Sequence, residues 1–215
     1  MKRFFLSLII CTISIATTFA QNDAKALDVL NNASTAYLKA GGVKAGFSVS
    51  VLGYGGKITN KLDGSIRLKG SKFKLEVDEM VTWFDGKNQW VYLKKNNEVN
   101  LSNPSEEEQL MINPVKVFQL YNHGYNCKWI GQSSEGGKTV LKVSLNPKNK
   151  SRTVQSIIAS FDKTSYRPVS IIITNKDKSG SRISIPTYLT GQNYPDGLFV
   201  FQQKSYPNTE VIDLR

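Results

Sequence analysis

The sequence predicts a mainly β protein in which about eleven antiparallel strands pack with two helical segments. Three observations favour this fold class. Apolar residues alternate with polar ones in most segments between residues 46 and 203. Glycine, Asn-Pro and Asp-Lys pairs separate those segments, as turns do. Helical spacing occurs in two places only, and no repeat or linker divides the chain, so one domain over residues 21–215 is expected.

The first twenty residues carry the features of a secretory signal peptide. Lys2 and Arg3 precede a short apolar run, and the run ends with small residues at Ala20. A transmembrane anchor is the alternative, but the run is short and no stop-transfer charges follow it. We therefore expect residues 1–20 to be removed and the mature protein to be exported.

Two segments have the spacing of amphipathic helices. In the first, apolar residues recur at three- and four-residue steps from Leu27 to Leu38, and Gly41-Gly42 ends the run. The second begins at Ser105, where three glutamates follow in a capping-box pattern. Pro114 breaks or restarts this helix, which is expected to end at Gly124.

The strands of the first half alternate in the period of two that places every second side chain on one face. In three strands the alternation places apolar residues on one face of the strand: Phe47, Val49 and Val51, then Leu62, Ile66 and Leu68, then Phe73, Leu75 and Val77.

Residues 81–101 predict a hairpin with an Asp85-Gly86 turn that is apolar on both faces. Four aromatic residues flank the turn: Trp83, Phe84, Trp90 and Tyr92. Val91 and Leu93 occupy the alternate positions of its second strand. We predict that Trp90 and Tyr92 face the concave side of the sheet, and that Val91 and Leu93 face a helix or a partner.

The strands return from residue 125, in six segments of which the last is "GLFVFQQ", residues 197–203. Eleven strands of about seven residues give a sheet face of roughly 1,200 Å². Two helices cover only about 400 Å² of it. A wide curved sheet would enclose an apolar cavity, whereas a flattened two-sheet sandwich would fill itself. Both remain open, with the cavity favoured.

Composition argues against several classes of function. The predicted mature chain has one histidine, His123, and one cysteine, Cys127, so a His and Cys metal site is not expected. Cys127 is expected to be a buried free thiol, with an intermolecular disulfide as the alternative. No nucleophile elbow or phosphate loop is present. A carboxylate-based hydrolase is a remote alternative, because no pair of acidic residues stands out. We predict a binding protein that needs no cofactor.

The charge of the chain bears on its partners. The formal net charge of +11 falls by two once Lys2 and Arg3 are removed. An exported protein rarely meets nucleic acid, so none is expected as a partner. A solvated lysine-rich surface explains the charge most simply, and an anionic membrane surface or an acidic protein would also fit.

Four segments together resemble the LolA family of periplasmic carriers of outer-membrane lipoproteins. They are "VKAGFSVSV", "LDGSIRLKGSKFKLEV", "TWFDGKNQWVYLKKNNEVNL" and "INPVKVFQLY". The terminal segment "GLFVFQQKSYPNTEVIDLR" is also similar. The resemblance implies an incomplete, strongly curved antiparallel β-barrel with a helical lid over an apolar cavity.

The resemblance further implies a monomeric periplasmic carrier that shields lipoprotein acyl chains between the two membranes. Its implied partners are acylated lipoproteins, an inner-membrane lipoprotein-releasing transporter and an outer-membrane acceptor. A carrier or sensor of another amphiphile on the same fold is an alternative, as is a secreted structural β-protein with a filled core. The resemblance places eight residues at inward positions of the strands: Phe47, Val49, Val51, Ile66, Leu68, Phe73, Leu75 and Val77. These eight, with Trp90 and Tyr92, are the implied acyl-chain contacts, and the implied lid residues are Val115, Phe118 and Leu120.

One departure from the family concerns the lid. Many members carry an arginine just after the strand that ends here at Lys69, where it bonds to the lid. This sequence has Gly70-Ser71 instead. Closure of the lid by that arginine is therefore not expected in this chain.

Overall fold

A computed structural model of the chain describes residues 23–105, Glu108 and residues 114–215, without the side chains of 114–116. The predicted signal peptide lies outside these residues, and so does most of the predicted helix between Ser105 and Pro114. Within the described part, Ser105 and Glu108 form the predicted capping box. The backbone N–H of Ser105 donates to Glu108 Oε2 at 2.7 Å, and that of Glu108 donates to Ser105 Oγ at 3.3 Å.

The described residues form one sheet of twelve strands together with the α-helix α1 (Ala24–Lys39). The strands are β1 Gly42–Leu52, β2 Ile58–Lys69, β3 Lys72–Val77, β4 Met80–Phe84, β5 Gln89–Leu93, β6 Glu98–Ser102, β7 Tyr125–Glu135, β8 Lys138–Pro147, β9 Val154–Asp162, β10 Pro168–Asn175, β11 Gly180–Gln192 and β12 Glu210–Asp213.

The strand order is β12-β6-β5-β4-β3-β2-β1-β11-β10-β9-β8-β7. All neighbours are antiparallel except β12, which pairs with β6 in parallel. The first strand thus lies near the centre of the sheet, between β2 and β11. Strands β7 and β12 at the two ends do not pair with each other, so the sheet does not close into a barrel. The predicted mainly β fold with an incomplete barrel is confirmed.

Helix α1 begins with Asp23, whose carboxylate accepts hydrogen bonds from the backbone N–H groups of Lys25 and Trp129. The buried side of the helix is shifted by about one position from the predicted one. Leu38, predicted on the apolar face, is 71% exposed. The buried residues are Ala26, Val29, Leu30, Ala33 and Tyr37, of which Leu30 and Tyr37 belong to the predicted apolar run.

The second predicted helix is α-helical at Glu108 and a 3₁₀ helix over Pro114–Asn122. We call these nine residues the lid segment. The lid segment and α1 contact each other, and both contact β7. Together they cover part of the concave face of the sheet.

The prediction of a strand over residues 197–203 is wrong. Asp196–Phe199 and Gln203–Ser205 are short 3₁₀ turns, and the last strand is β12 instead. Residues 193–209, the C-terminal segment, cross the convex face, where the strands beneath are already paired on both sides. The segment leaves β11 and reaches the far edge at β6, which explains why β12 pairs there in parallel.

The convex face carries its own apolar cluster beneath the C-terminal segment. Trp83 is buried, and its ring lies 5.5 Å from those of Phe201 and Tyr206. Tyr92 lies 4.8 Å from Tyr206. At the start of the segment, Asp196 binds Lys69 and Lys72 at 2.9 and 2.7 Å. The aromatic residues of the hairpin therefore hold the C-terminal segment in place.

Candidate functional site

An apolar cavity of about 250 Å³ lies between the concave face of the sheet and the lid segment. Its walls are wholly aliphatic or aromatic. The lining residues are Ala45, Phe47, Val49, Ile66, Leu68, Leu75, Val117, Phe118, Leu120, Tyr125, Ile157, Pro168, Ile171, Ile173, Ile183, Ile185 and Tyr188.

The register of the strands builds this wall from residues distant in sequence. Val49 of β1 lies opposite Ile183 of β11, which in turn lies opposite Ile171 of β10. On the other side, Ile66 of β2 lies opposite Leu75 of β3. Directly opposed residues share one face of a sheet, so these rows form a continuous apolar surface that runs across both halves of the chain.

The concave face becomes more exposed along the strands, toward one end of the sheet. Along β1, Val43 and Ala45 are buried, whereas Phe47, Val49 and Val51 are only partly buried. The same gradient occurs on β10, from buried Ile171 to partly buried Ile173, and on β3, from buried Phe73 to partly buried Val77. The cavity therefore opens at the end of the sheet where β1 and β10 terminate.

The opposite end of the cavity is closed by α1 and the lid segment. The ring of Phe118 lies 6.4 Å from Tyr37 and 5.7 Å from Phe161, so it bridges the helix and the sheet. The phenol of Tyr37 donates a 2.6 Å hydrogen bond to the carbonyl oxygen of Gly70. This hydrogen bond joins α1 to the Gly70-Ser71 turn, which is the place where many members of the family carry an arginine. Gly70 has φ +59°, which an arginine side chain would strain.

Tyr188 contributes a polar group at the margin of the cavity. Burial raises the pKa of Tyr188 to about 12, although the nearby Arg167 acts in the opposite direction. The Arg167 guanidinium lies 5.8 Å from the centre of the Tyr188 ring and donates to Thr190 Oγ1 at 3.2 Å. At neutral pH the phenol is therefore uncharged, and the cavity wall carries no ionised group.

Seven of the predicted site residues line the cavity: Phe47, Val49, Ile66, Leu68, Leu75, Phe118 and Leu120. Val51 and Val77 lie on the same face beyond its open end, and Phe73 is fully buried, with its ring 5.4 Å from that of Phe84. The side chain of Val115 falls outside the described residues. The acyl-chain contacts of all these residues remain predictions.

The predicted orientation of the hairpin is reversed. Trp83 opposes Trp90, and Val81 opposes Tyr92, on the convex face. Thr82 opposes Val91 on the concave face, in the row that continues to Leu75. The hairpin is apolar on both sides because its convex side is covered by the C-terminal segment. The sequence alone did not show that this segment crosses the sheet.

The opposite wall of the cavity was missed at the sequence level. It comes from β10 and β11, with Ile173, Ile183 and Ile185 among its residues. The signal was present in the apolar run "SIIIT" and in the alternation of "SRISIP". The pairing of β1 with β11 places this wall next to the predicted residues of β1, β2 and β3.

Cys127 is buried and forms no disulfide bond with another described residue, and burial raises the pKa of its thiol. Among the described residues, no group of three or more His, Cys, Asp or Glu side chains is arranged to hold a metal ion. In the same part of the chain, no helix has the length and apolar character needed to cross a membrane.

The open sheet, its helical cover and the largely apolar cavity define the class: mainly β proteins with an internal apolar cavity. The model of the family described as "Outer membrane lipoprotein carrier protein LolA" matches residues 16–177. The chain belongs to this family of carriers. No curated protein matches the chain.

Solved structures are similar in fold. A conserved protein of Thermus thermophilus described as uncharacterized has a TM-score of 0.61 at 12% identity, covering 88% of this chain and 99% of its own. A DUF1329 family protein of Desulfovibrio piger has a TM-score of 0.51 at 11% identity, covering 87% and 100%. A LolA superfamily protein of Nitrosomonas europaea has a TM-score of 0.47 at 12% identity, covering 82% and 97%. At these identities the likeness concerns the fold.

Proposed function

We propose that this protein is a periplasmic carrier that shields the acyl chains of lipoproteins on their way from the inner to the outer membrane. The observation that carries the proposal is a cavity that is walled by aliphatic and aromatic side chains and opens at one end of the sheet. A cavity with such walls favours an apolar ligand, since a polar ligand would lose its hydrogen bonds to water there. Membership in a family of lipoprotein carriers supports the choice of an acyl chain.

The size of the cavity indicates how a chain would be held. If a methylene group takes about the 30 Å³ share of a water molecule, the space of about 250 Å³ holds roughly eight carbons. At ~0.8 kcal/mol for each buried methylene, their transfer contributes about 6 kcal/mol before the costs of binding. The remainder of a long chain would lie along the concave face beyond the open end, on Val51 and Val77. Such moderate affinity suits a carrier that must also release its cargo.

The same volume supports a second candidate, a carrier or sensor of another amphiphile. The cavity as it stands holds part of one acyl chain rather than the several chains of a lipoprotein. A lipid with one or two chains therefore fits with less rearrangement of the lid segment. The transporter that would load the protein and the acceptor that would unload it belong to the first proposal only. Neither function requires catalysis.

The decisive experiment compares ligands on the exported protein purified without detergent. A triacylated lipopeptide with a fluorescent label should form a soluble complex with the protein, and the same peptide without acyl chains should not. Mass spectrometry of organic extracts identifies what the protein carries from the cell. Acylated peptide supports the lipoprotein carrier, and free lipid alone supports the second candidate. Equal behaviour of the acylated and unacylated peptides would refute the lipoprotein carrier, and extracts that also contain no lipid would refute both.

A further inference from the structure

Three turns at the open end of the cavity form one continuous surface. The backbone N–H of Gly55 donates to the carbonyl of Asp177 at 3.4 Å, and that of Lys176 donates to the carbonyl of Thr153 at 3.1 Å. The side chain of Lys176 also donates to the carbonyl of Lys150. We call this surface the basic rim, which comprises residues 53–58, 148–153 and 175–179.

The basic rim carries a strong excess of positive charge. Its six basic residues are Lys57, Lys148, Lys150, Arg152, Lys176 and Lys178. Its one acidic residue is Asp177, whose carboxylate already accepts hydrogen bonds from the backbone N–H of Ser179 at 2.9 Å and from its hydroxyl at 2.6 Å. A field of one sign over adjoining turns attracts anionic partners.

The basic rim also exposes two large apolar side chains. Tyr54, at the tip of the turn between β1 and β2, is 84% exposed, and Ile58 at the start of β2 is 55% exposed. An aromatic and an aliphatic side chain among lysines is the combination that binds at the boundary between lipid headgroups and acyl chains.

The position of the basic rim relates it to the cavity. Ile173 lines the cavity wall two residues before β10 ends in the rim at Asn175. Val49 likewise lines the wall three residues before β1 ends at Leu52. The basic rim therefore lies next to the open end of the cavity.

We propose that the basic rim docks on the surface of an anionic lipid bilayer and presents the open end of the cavity to the membrane. The proposal rests on the proposed function, because docking there would let an acyl chain pass between bilayer and cavity with little exposure to water. Lysine attraction to anionic headgroups and shallow insertion of Tyr54 and Ile58 supply the binding. The charge favours anionic over neutral membranes.

The test is sedimentation of the exported protein with vesicles of phosphatidylcholine, with and without phosphatidylglycerol, at low and high salt. The rim variant combines Lys57→Glu, Lys150→Glu and Lys178→Glu. A matched control combines three exposed lysines that lie in or next to turns at the opposite end of the sheet: Lys87→Glu, Lys138→Glu and Lys163→Glu. Both variants have the same net charge.

We expect the wild-type protein to bind vesicles that contain phosphatidylglycerol, and salt to weaken this binding. Each basic residue near an anionic membrane strengthens binding about fivefold, so the rim variant should bind at least about a hundredfold more weakly. The control variant should lose much less of its affinity for these vesicles.

A second pair of variants tests the apolar contacts. Tyr54→Ser with Ile58→Ser should weaken vesicle binding. The control pair, Leu38→Ser with Leu189→Ser, removes similarly exposed side chains elsewhere and should leave vesicle binding unchanged.

Binding of the acylated lipopeptide in solution separates this proposal from the proposed function. The rim variant should still bind the lipopeptide, although it no longer binds the vesicles. No vesicle binding by the wild-type protein, or equal losses in the rim and control variants, would overturn the docking proposal even if the lipopeptide binds. Failure of the wild-type protein to bind the lipopeptide would overturn the proposed function instead.

Discussion

Ile173 and Ile172 are adjacent residues of β10 that allow a sharp test of the cavity. Ile173 lines the cavity, whereas Ile172 points to the convex face, opposite Arg182 of β11. Both are isoleucines and both are partly buried. Ile173→Glu should weaken the binding of acyl chains, and Ile172→Glu should leave it unchanged.

The magnitude follows from the volume of the cavity. A carboxylate on its wall retains hydration water, since desolvating an unpaired charge costs several kcal/mol. If that water displaces two or three of the roughly eight carbons, at ~0.8 kcal/mol each, binding weakens by about 2 kcal/mol. This corresponds to about a thirtyfold rise in Kd.

The assay is titration of a fluorescent fatty-acyl probe into each variant. Circular dichroism and the thermal unfolding temperature show whether each variant is folded. Since both positions are partly buried, we expect both variants to fold. Equal affinities for the two folded variants, or a greater loss in Ile172→Glu, would refute the assignment of the cavity face.

Three further predictions concern stability. Tyr37→Phe removes the hydrogen bond to Gly70 and should lower the free energy of unfolding by about 1 kcal/mol in urea titrations; an unchanged value would mean that this bond does not secure α1. Burial raises the pKa of Tyr188 from 10.0 to about 12, so its contribution to stability is complete below pH 10 and is lost as the pH rises through 12. Tyr188→Phe should flatten the fall in stability across that range, and a curve as steep as that of the wild type would contradict this. Trp83→Ala should lower stability by about 3–5 kcal/mol and expose the C-terminal segment to proteolysis, and protection equal to that of the wild type would exclude Trp83 as its anchor.

Local patterns predicted most of the strands, because alternation and turn residues are determined over a few positions. Helix α1 and the hairpin at Asp85-Gly86 followed from the same kind of information. The half of the cavity wall that was predicted, including Phe47 and Leu75, came from strands that are neighbours both in sequence and in the sheet.

Long-range pairing accounts for what the patterns did not predict. Nothing near Trp90 in the sequence indicates that residues 193–209 cross the sheet and cover the hairpin, so its two apolar faces were assigned the wrong way round. Phe199 and Phe201 have the spacing of a strand, but they pack on a face whose strands already have partners. The tie between Tyr37 and Gly70 also depends on a helix and a turn that meet only in the folded protein.

The pairing of β1 with β11 has a consequence for the folding of the chain. Within β1–β6 and within β7–β11 the paired strands are neighbours in sequence. In the described part of the chain, the ladder between β1 and β11 is the strand pairing that joins the two groups. One of its contacts, from Gly46 to Thr187, joins residues 141 positions apart. Because contacts of such separation form slowly, we expect each group to fold first and the ladder between them to form last. The cavity, which takes its walls from both groups, would then appear only in this final step.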